Sequence, residues 1–395
     1  MKPEFMFREA QVLKLLIFFS FLITYAGYSI ASEPSEYPAG EEQHQNHISS
    51  TGNHHEKFDP GTFIFDHIGD SHEWHIIDIG KSSISIPLPV ILYSKEKGLV
   101  AFMSTNFHHG RAMYQGFYIG QEGETIEKLN SKGEVEILEV KGKIVEQLSN
   151  GNKVLPFDIS ITKNVASLFF SIILILFIFI NIGNAYKRNP LSPPKGLQSI
   201  LEPVILFVRD DIAKSSIGEK NYERFMPYLL TVFFFIWINN MLGLIPIFPG
   251  GANVTGNIAI TLVLALFTFI ITTINGNKIY WKHIFNTPGV PVWLKVPPLA
   301  IMPIVEMIGI FTKPFVLMVR LFANITAGHI IGLGLISLIF LFGEMNQYLG
   351  LGVSVVSVSF IIFMTFLELL VAFIQAYVFT FLSAIYFGMA VEEHH

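Results

Sequence analysis

The sequence predicts an all-α polytopic membrane protein: five transmembrane helices, one membrane-surface amphipathic helix, and a small β-rich exported domain at the N-terminus. Three observations carry that fold class. Of 395 residues, 51% are hydrophobic and only 14% charged, where a soluble chain carries nearer a quarter charged. No Asp, Glu, Lys or Arg falls between Arg224 and Lys278, and only Glu368 falls between Met345 and Val391. Such runs exceed the ~20 residues that cross a bilayer core. Residues 32–157, by contrast, are polar and alternate in places with period two, as strands do.

At the N-terminus, Lys2, Arg8 and Lys14 precede the apolar run "LLIFFSFLITYAGY", and Ser29 and Ala31 come after it as small residues before "SEPSEYPAG". This pattern predicts a signal peptide over 1–31, cleaved after Ala31. A retained first span is the alternative, and either one exports the polar segment behind it. The exported domain, 32–157, begins with the low-complexity "SEPSEYPAGEEQHQNHISSTGNHHEK", expected to be disordered. "WHIIDIGKSSISIPLPVILY" and "GEVEILEVKGKIVEQL" then alternate between turn signals. Nine of the 13 histidines lie in this domain. They could bind metal, but their irregular spacing favours a solvated face.

The membrane domain is expected over 158–395. A first span, about 164–185, is closed by Lys187 and Arg188, and "LQSILEPVILFVRDDIAK" beyond it reads as an amphipathic surface helix. A hairpin over 226–248 and 256–276 is joined by the uncharged "PIFPGGANVTG" and leads to a loop bearing Lys278, Lys282 and Lys295. Basic loops stay cytoplasmic, so the chain starts outside, crosses five times and ends inside. The last two apolar segments, about 298–342 and 351–391, are too long to cross upright. Forty-odd residues make about 60 Å of helix against a core of about 30 Å. Pro303 and Pro314 permit kinks, but the lack of a polar interruption favours steep tilt.

Several function classes drop out. There is no cysteine, hence no disulfide and no thiolate metal site. No Gly-rich phosphate loop, G-x-S-x-G or H-E-x-x-H appears, so the chain carries no catalytic signature and calls for no cofactor or metal. A net charge of −5 suggests no polyanionic partner, nucleic acid included.

The polar residues within the apolar segments are the candidates for function. Arg320 is a permanent cation where a charge costs roughly 2.5–3.5 kcal/mol on insertion scales. Glu306, Lys313 and Arg320 recur every seven residues and share a helix face, which Asn324 joins at i+4. His329, nine residues past Arg320, points the opposite way. Glu368 and Gln375, again seven apart, share a face of the last helix. Such groups mark ion paths or pair with one another; a salt bridge from Arg320 to Glu306 or Glu368 that merely holds the helices together is the lesser alternative. A His329–Glu368 pair suits a proton relay as well as a structural hydrogen bond. Lys313 reads more simply as snorkelling, Asn240 as a helix-packing hydrogen bond, and Gly328 with Gly332 as a G-x-x-x-G packing motif.

"KPFVLMVRLFANITAGH" followed by "FLELLVAFIQAYVFTFLSAIYFGMAVEEHH" resembles subunit a of the bacterial F-type ATP synthase. Its R-L-F-x-N-x-x-A-G run is matched by Arg320, Leu321, Phe322, Asn324, Ala327 and Gly328, and its Q-A-[FY]-[IV]-F run by Gln375 to Phe379. "NNMLGLIP" and "VEMIGIFTKP" match further segments, and the resemblance covers about 158–395. It implies a non-catalytic, proton-translocating stator subunit of the inner membrane. Its implied partners are the c-subunit ring, the b-subunit peripheral stalk, the remainder of the complex and the lipid bilayer. Arg320 would meet each ring carboxylate between two offset aqueous half-channels. Asn324, His329, Glu368 and Gln375 would line the outer half-channel, and Glu306 the cytoplasmic exit. Some members carry an acid where His329 stands and a histidine where Glu368 stands, so this chain holds the pair exchanged. A secondary transporter or channel with an intramembrane Arg–Glu pair is the alternative, but the inverted repeats common in transporters are absent.

Overall fold

The computed structural model describes residues 58–79, 82–129, 135–188, 193–245, 248–285 and 301–392. The expected signal peptide, the expected disordered start and the last three residues lie outside them. The described chain is mostly helical, with five helices long and apolar enough to span a membrane, preceded by a β-rich region. It divides into two compact units, one holding 163–328 and 365–392, the other 58–162 and 329–364.

The second unit opens with a helix that the alternation pattern does not reveal, α1 (Pro60–Ile68). Its cause is local. Asp59 accepts from the N–H groups of Gly61 and Thr62, and Pro60 supplies a preset φ in the first turn. Ten short strands come next: β1 (Glu73–Ile79), β2 (Ser82–Pro87), β3 (Pro89–Ser94), β4 (Gly98–Met103), β5 (Phe117–Ile119), β6 (Thr125–Leu129), β7 (Val135–Glu139), β8 (Ile144–Gln147), β9 (Lys153–Val154) and β10 (Phe157–Asp158). They pair antiparallel in small sheets of order β1-β2, β10-β3-β4, β5-β8-β9 and β6-β7. Val90 and Leu92 meet Phe107, Phe117 and Ile144 in one core, while Ile126, Leu138, Val140 and Val145 form a second.

Charged groups in this unit are paired where they are buried. The Glu146 carboxylate, 1% exposed, accepts from Ser94 Oγ at 2.7 Å and faces Lys97 Nζ at 3.4 Å. His72 Nε2 lies 2.8 Å from Asp158 Oδ2, and His109 Nδ1 lies 2.8 Å from Glu73 Oε2. Two of the histidines thus bond carboxylates, and among the described residues no group of three His, Asp or Glu could hold a metal ion.

Burial pushes the Asp158 carboxyl up, but hydrogen bonds from His72 and Ser160 more than offset it and leave the group below its ordinary 3.8. A carboxyl lowered by folding stabilises the fold above its ordinary value and loses that contribution as pH falls through the folded one. Asp158→Asn should therefore lower stability by about 1–3 kcal/mol near neutral pH. The gap to the parent should narrow as pH falls from the ordinary carboxyl value through the lowered folded one. Pulse proteolysis of the N-terminal domain in the full chain reads this directly; a gap that does not change with pH would reject it.

The first unit holds the span helices. α2 (Lys163–Arg188) leads to α3 (Leu197–Phe207), a π-helical stretch over Val208–Lys214 and a last turn at Ser215–Ile217. Sequence alone predicts one amphipathic helix here. In the structure, Val208, Ile212 and Ala213 are fully buried, and Phe207 packs on Tyr377 at 5.6 Å. Arg209, then Lys214, hold the Asp210 carboxyl well below its ordinary value. The hairpin is α4 (Tyr222–Leu244) and α5 (Ile258–Asn275), with Asn257 capping α5. A short α6 (Lys278–Phe285) lies in the basic loop.

α7 (Ile301–Met345) and α8 (Gln347–Val391) are each 45 residues long and run unbroken, with Pro314 inside α7. α4 is the interior helix, with 72% of its apolar window buried; α7 has 6% and α8 11%. Aromatic rings fill the space around α4. Phe234 meets Phe179 of α2 at 4.8 Å, Phe233 meets Phe373 of α8 at 5.7 Å, and Phe225 stacks on Phe387 at 4.7 Å.

Candidate functional site

α7 carries its polar residues on surface the chain leaves uncovered. Arg320 and Asn324 are exposed, and Glu306 and Lys313 are partly buried. Among the described residues, the Arg320 guanidinium is in no ion pair. Leu317 and Leu321 on the same helix are 1% exposed, so α7 is anchored by its leucines while Arg320 beside them stays exposed. Neither Glu306 nor Glu368 holds Arg320 in a salt bridge.

Lys313 and Glu306 come together with residues from three other helices. Lys313 Nζ lies 5.4 Å from the centre of the Tyr386 ring on α8, a cation–π distance. Lys313 and Tyr386 line a small pocket with Thr268 and Thr272 of α5, Tyr280 of α6 and Leu317. Burial, and the negative charge of Glu306, push the Tyr280 phenol above its ordinary value. Beside the pocket runs a chain of buried hydroxyls. Tyr228 Oη lies 2.7 Å from Thr268 Oγ1, which lies 3.2 Å from Ser383 Oγ. This chain joins α4, α5 and α8.

Glu368 is partly buried on α8, and Gln375, two turns on, is 5% exposed. Gly328 faces Glu368: a Cβ built on it would lie 2.7 Å from Glu368 Oε1. The missing side chain is thus the space the carboxylate occupies. Gly332, the other half of the G-x-x-x-G, has nothing within 4 Å of such a Cβ. His329 is partly buried on α7. Asn240, 3% exposed, accepts from Thr255 Oγ1 at 2.5 Å and donates to the Ala372 carbonyl at 3.3 Å. It ties α4 to α8 one turn before Gln375.

Tyr228, Thr268, Tyr280, Ser383 and Tyr386 are the residues that sequence reasoning passed over. The one local signal was Thr268 and Thr272, a turn apart in an uncharged run; Thr272 Oγ1 donates to the Thr268 carbonyl at 2.7 Å. Intrahelical bonds of this kind also occur without function, so the signal is weak until the other helices are in place.

The profile of the ATP synthase A chain family matches residues 165–388. A domain of unknown function matches 63–157. ATP synthase subunit a of Chloroherpeton thalassium is 44% identical over 246 residues, covering 60% of this chain and 69% of that protein. The subunit a of Chlorobium phaeobacteroides is 45% identical over 247 residues, covering 60% and 68%. That of Myxococcus xanthus is 44% identical over 243 residues, covering 60% and 75%. With more than half of its length matched by the family profile, and with relatives at this identity, the chain belongs to the ATP synthase subunit a family, a membrane-sector component of that complex.

Proposed function

We propose that this chain is the proton-translocating stator subunit, in which Arg320 meets the carboxylates of a rotating c-subunit ring between two offset aqueous half-channels. The observation that carries this reading is the exposed Arg320 on a helix that buries only 6% of its apolar window within the chain. A permanent cation left unpaired in a span is costly. It is worth keeping when a moving partner supplies its counter-charge. An arginine favours the ionised form of each passing acid and cannot itself relay the proton. Protons therefore leave the ring at this point rather than leaking across. Each charge crossing the membrane brings about 2.3 kcal/mol per 100 mV.

In this reading α7 and α8 lie steeply tilted, since 45 residues make about 68 Å of helix against a core of about 30 Å. The surface they leave uncovered then tracks the curve of the ring. Asn324, His329, Glu368 and Gln375 line the outer half-channel, and Glu306 the cytoplasmic exit. The absent side chain at Gly328 supports a role for Glu368, because it makes room for a carboxylate at this point of the helix pair. Residues 1–31 are the signal peptide, 32–157 the exported domain and 158–395 the membrane domain. The C-terminus is cytoplasmic, and the b-subunit stalk anchors the subunit at the inner membrane.

Glu368→Gln tests the outer path. The amide keeps size and hydrogen bonding but cannot carry a proton, so proton flux through the assembled complex should fall and its pH profile should shift. An unchanged profile would reduce Glu368 to packing. Reciprocal exchange of His329 and Glu368 should be better tolerated than either single change.

A further inference from the structure

The sheet β10-β3-β4 has two apolar faces. Alternation sends Val90, Leu92 and Phe102 into the core around Phe107. The intervening residues face the other way, where an antiparallel sheet with one solvated face would carry polar side chains. Pairing arranges them in three cross-strand rows. Tyr93 stands between Phe157 and Leu99. Ile91 stands between Ala101 and Ile159, whose N–H donates to the Ile91 carbonyl at 2.7 Å. Pro89 stands between Met103 and Ile161, whose N–H donates to the Pro89 carbonyl at 3.0 Å. None of the nine positions carries a charge. Leu99 is 68% exposed, Phe157 59%, Tyr93 53%, Met103 42% and Ile159 38%.

We propose that this face of the N-terminal domain docks on the bilayer surface, at the headgroup–acyl boundary beside the first span. A contiguous exposed apolar face marks an interaction site, and chain connectivity selects the occupant. Ile161 is two residues from Lys163, where α2 begins its 26-residue apolar course. Two residues reach at most about 7 Å, so Ile161, at the edge of the third row, stands within that distance of the end of a span. The first row lies four residues, about 13 Å, further along β10. Tyr93 in that row has the amphipathic ring that settles at membrane interfaces. The docking rests on α2 crossing a bilayer and on nothing in the ion path, so its failure leaves the role of Arg320 untouched.

The chain contains no cysteine, which makes the test direct. Leu99→Cys, Met103→Cys and, as a control on an exposed turn outside this sheet, Glu122→Cys are placed singly in complexes otherwise free of cysteine. An environment-sensitive fluorophore on each thiol is then quenched in liposomes, either by nitroxide-labelled phosphatidylcholine or by aqueous iodide. Labels at 99 and 103 should be quenched several-fold more by the nitroxide lipid than the label at 122, and less by iodide. Equal behaviour at all three positions overturns the proposal, as it means an open face. Protection at 99 and 103 from both quenchers also overturns it, as it means a protein partner covers the face. Leu99 and Met103 are exposed, so neither change disturbs the core; unchanged ATP-driven pumping confirms that each labelled complex is intact.

Discussion

In everted vesicles, Arg320→Ala should leave the complex assembled and abolish both ATP-driven proton pumping and proton-driven ATP synthesis. Assembly is expected to survive because Arg320 is exposed and, among the described residues, in no ion pair, so removing it breaks no internal salt bridge. The loss of coupling comes from electrostatics. Two unit charges about 4 Å apart interact by about 4 kcal/mol at an effective dielectric of 20. Withdrawing that stabilisation from a passing carboxylate shifts its ionised fraction by about a thousandfold. The acid would then carry its proton past the point of release. Normal ATP synthesis by Arg320→Ala would remove the foundation of the proposed function.

Gly388→Val should be nearly as damaging, through assembly rather than chemistry. A Cβ at Gly388 would overlap the Ser216 carbonyl oxygen and lie 3.5 Å from Ile217 Cα. Both are backbone, so no side chain can swing away, and α8 would have to withdraw from the Ser215–Ile217 turn. Phe387 beside it is fully buried against Phe225 and Tyr228, which blocks that withdrawal. Overpacking of this kind costs about 1–3 kcal/mol, and an unyielding backbone contact belongs at the upper end. The expected readout is a lower melting temperature of the purified complex and less subunit in the membrane. Gly352→Ala, where nothing lies within 4 Å, should change neither; equal behaviour of the two variants would refute the packing argument.

The spans were legible because lipid imposes a blunt rule on sequence. A charge-free run longer than a bilayer is hard to disguise, and α4, α5, α7 and α8 all lie within a few residues of where such runs predict them. Arg320, Glu306 and Glu368 were visible for the same reason, each standing out against apolar neighbours. The hydroxyl residues were not. Tyr228 is 40 residues from Thr268, and Thr268 is 115 from Ser383, and a hydroxyl on an apolar helix satisfies itself on its own backbone. α1 had a readable signal in Asp59-Pro60, overshadowed by the low-complexity lead before it. The π-helical stretch over Val208–Lys214 has no periodicity of its own, so a single amphipathic helix was the natural expectation.

The C-terminal end of α7 meets the first described residue of the N-terminal domain. The Phe58 N–H donates to Glu344 Oε1 at 3.0 Å, and the Phe58 ring sits 5.3 Å from that of Phe340. The domain is thus fastened twice, by peptide bonds to α2 and by this contact to the last turns of α7. In the proposed reading the subunit resists a turning rotor and would feel sideways drag on its longest hairpin, and a hairpin gripped at its tip bends less than one left loose. Torque delivered to α7 and α8 would then be shared with a folded brace outside the spans, a mechanical role that calls for no chemistry from the domain.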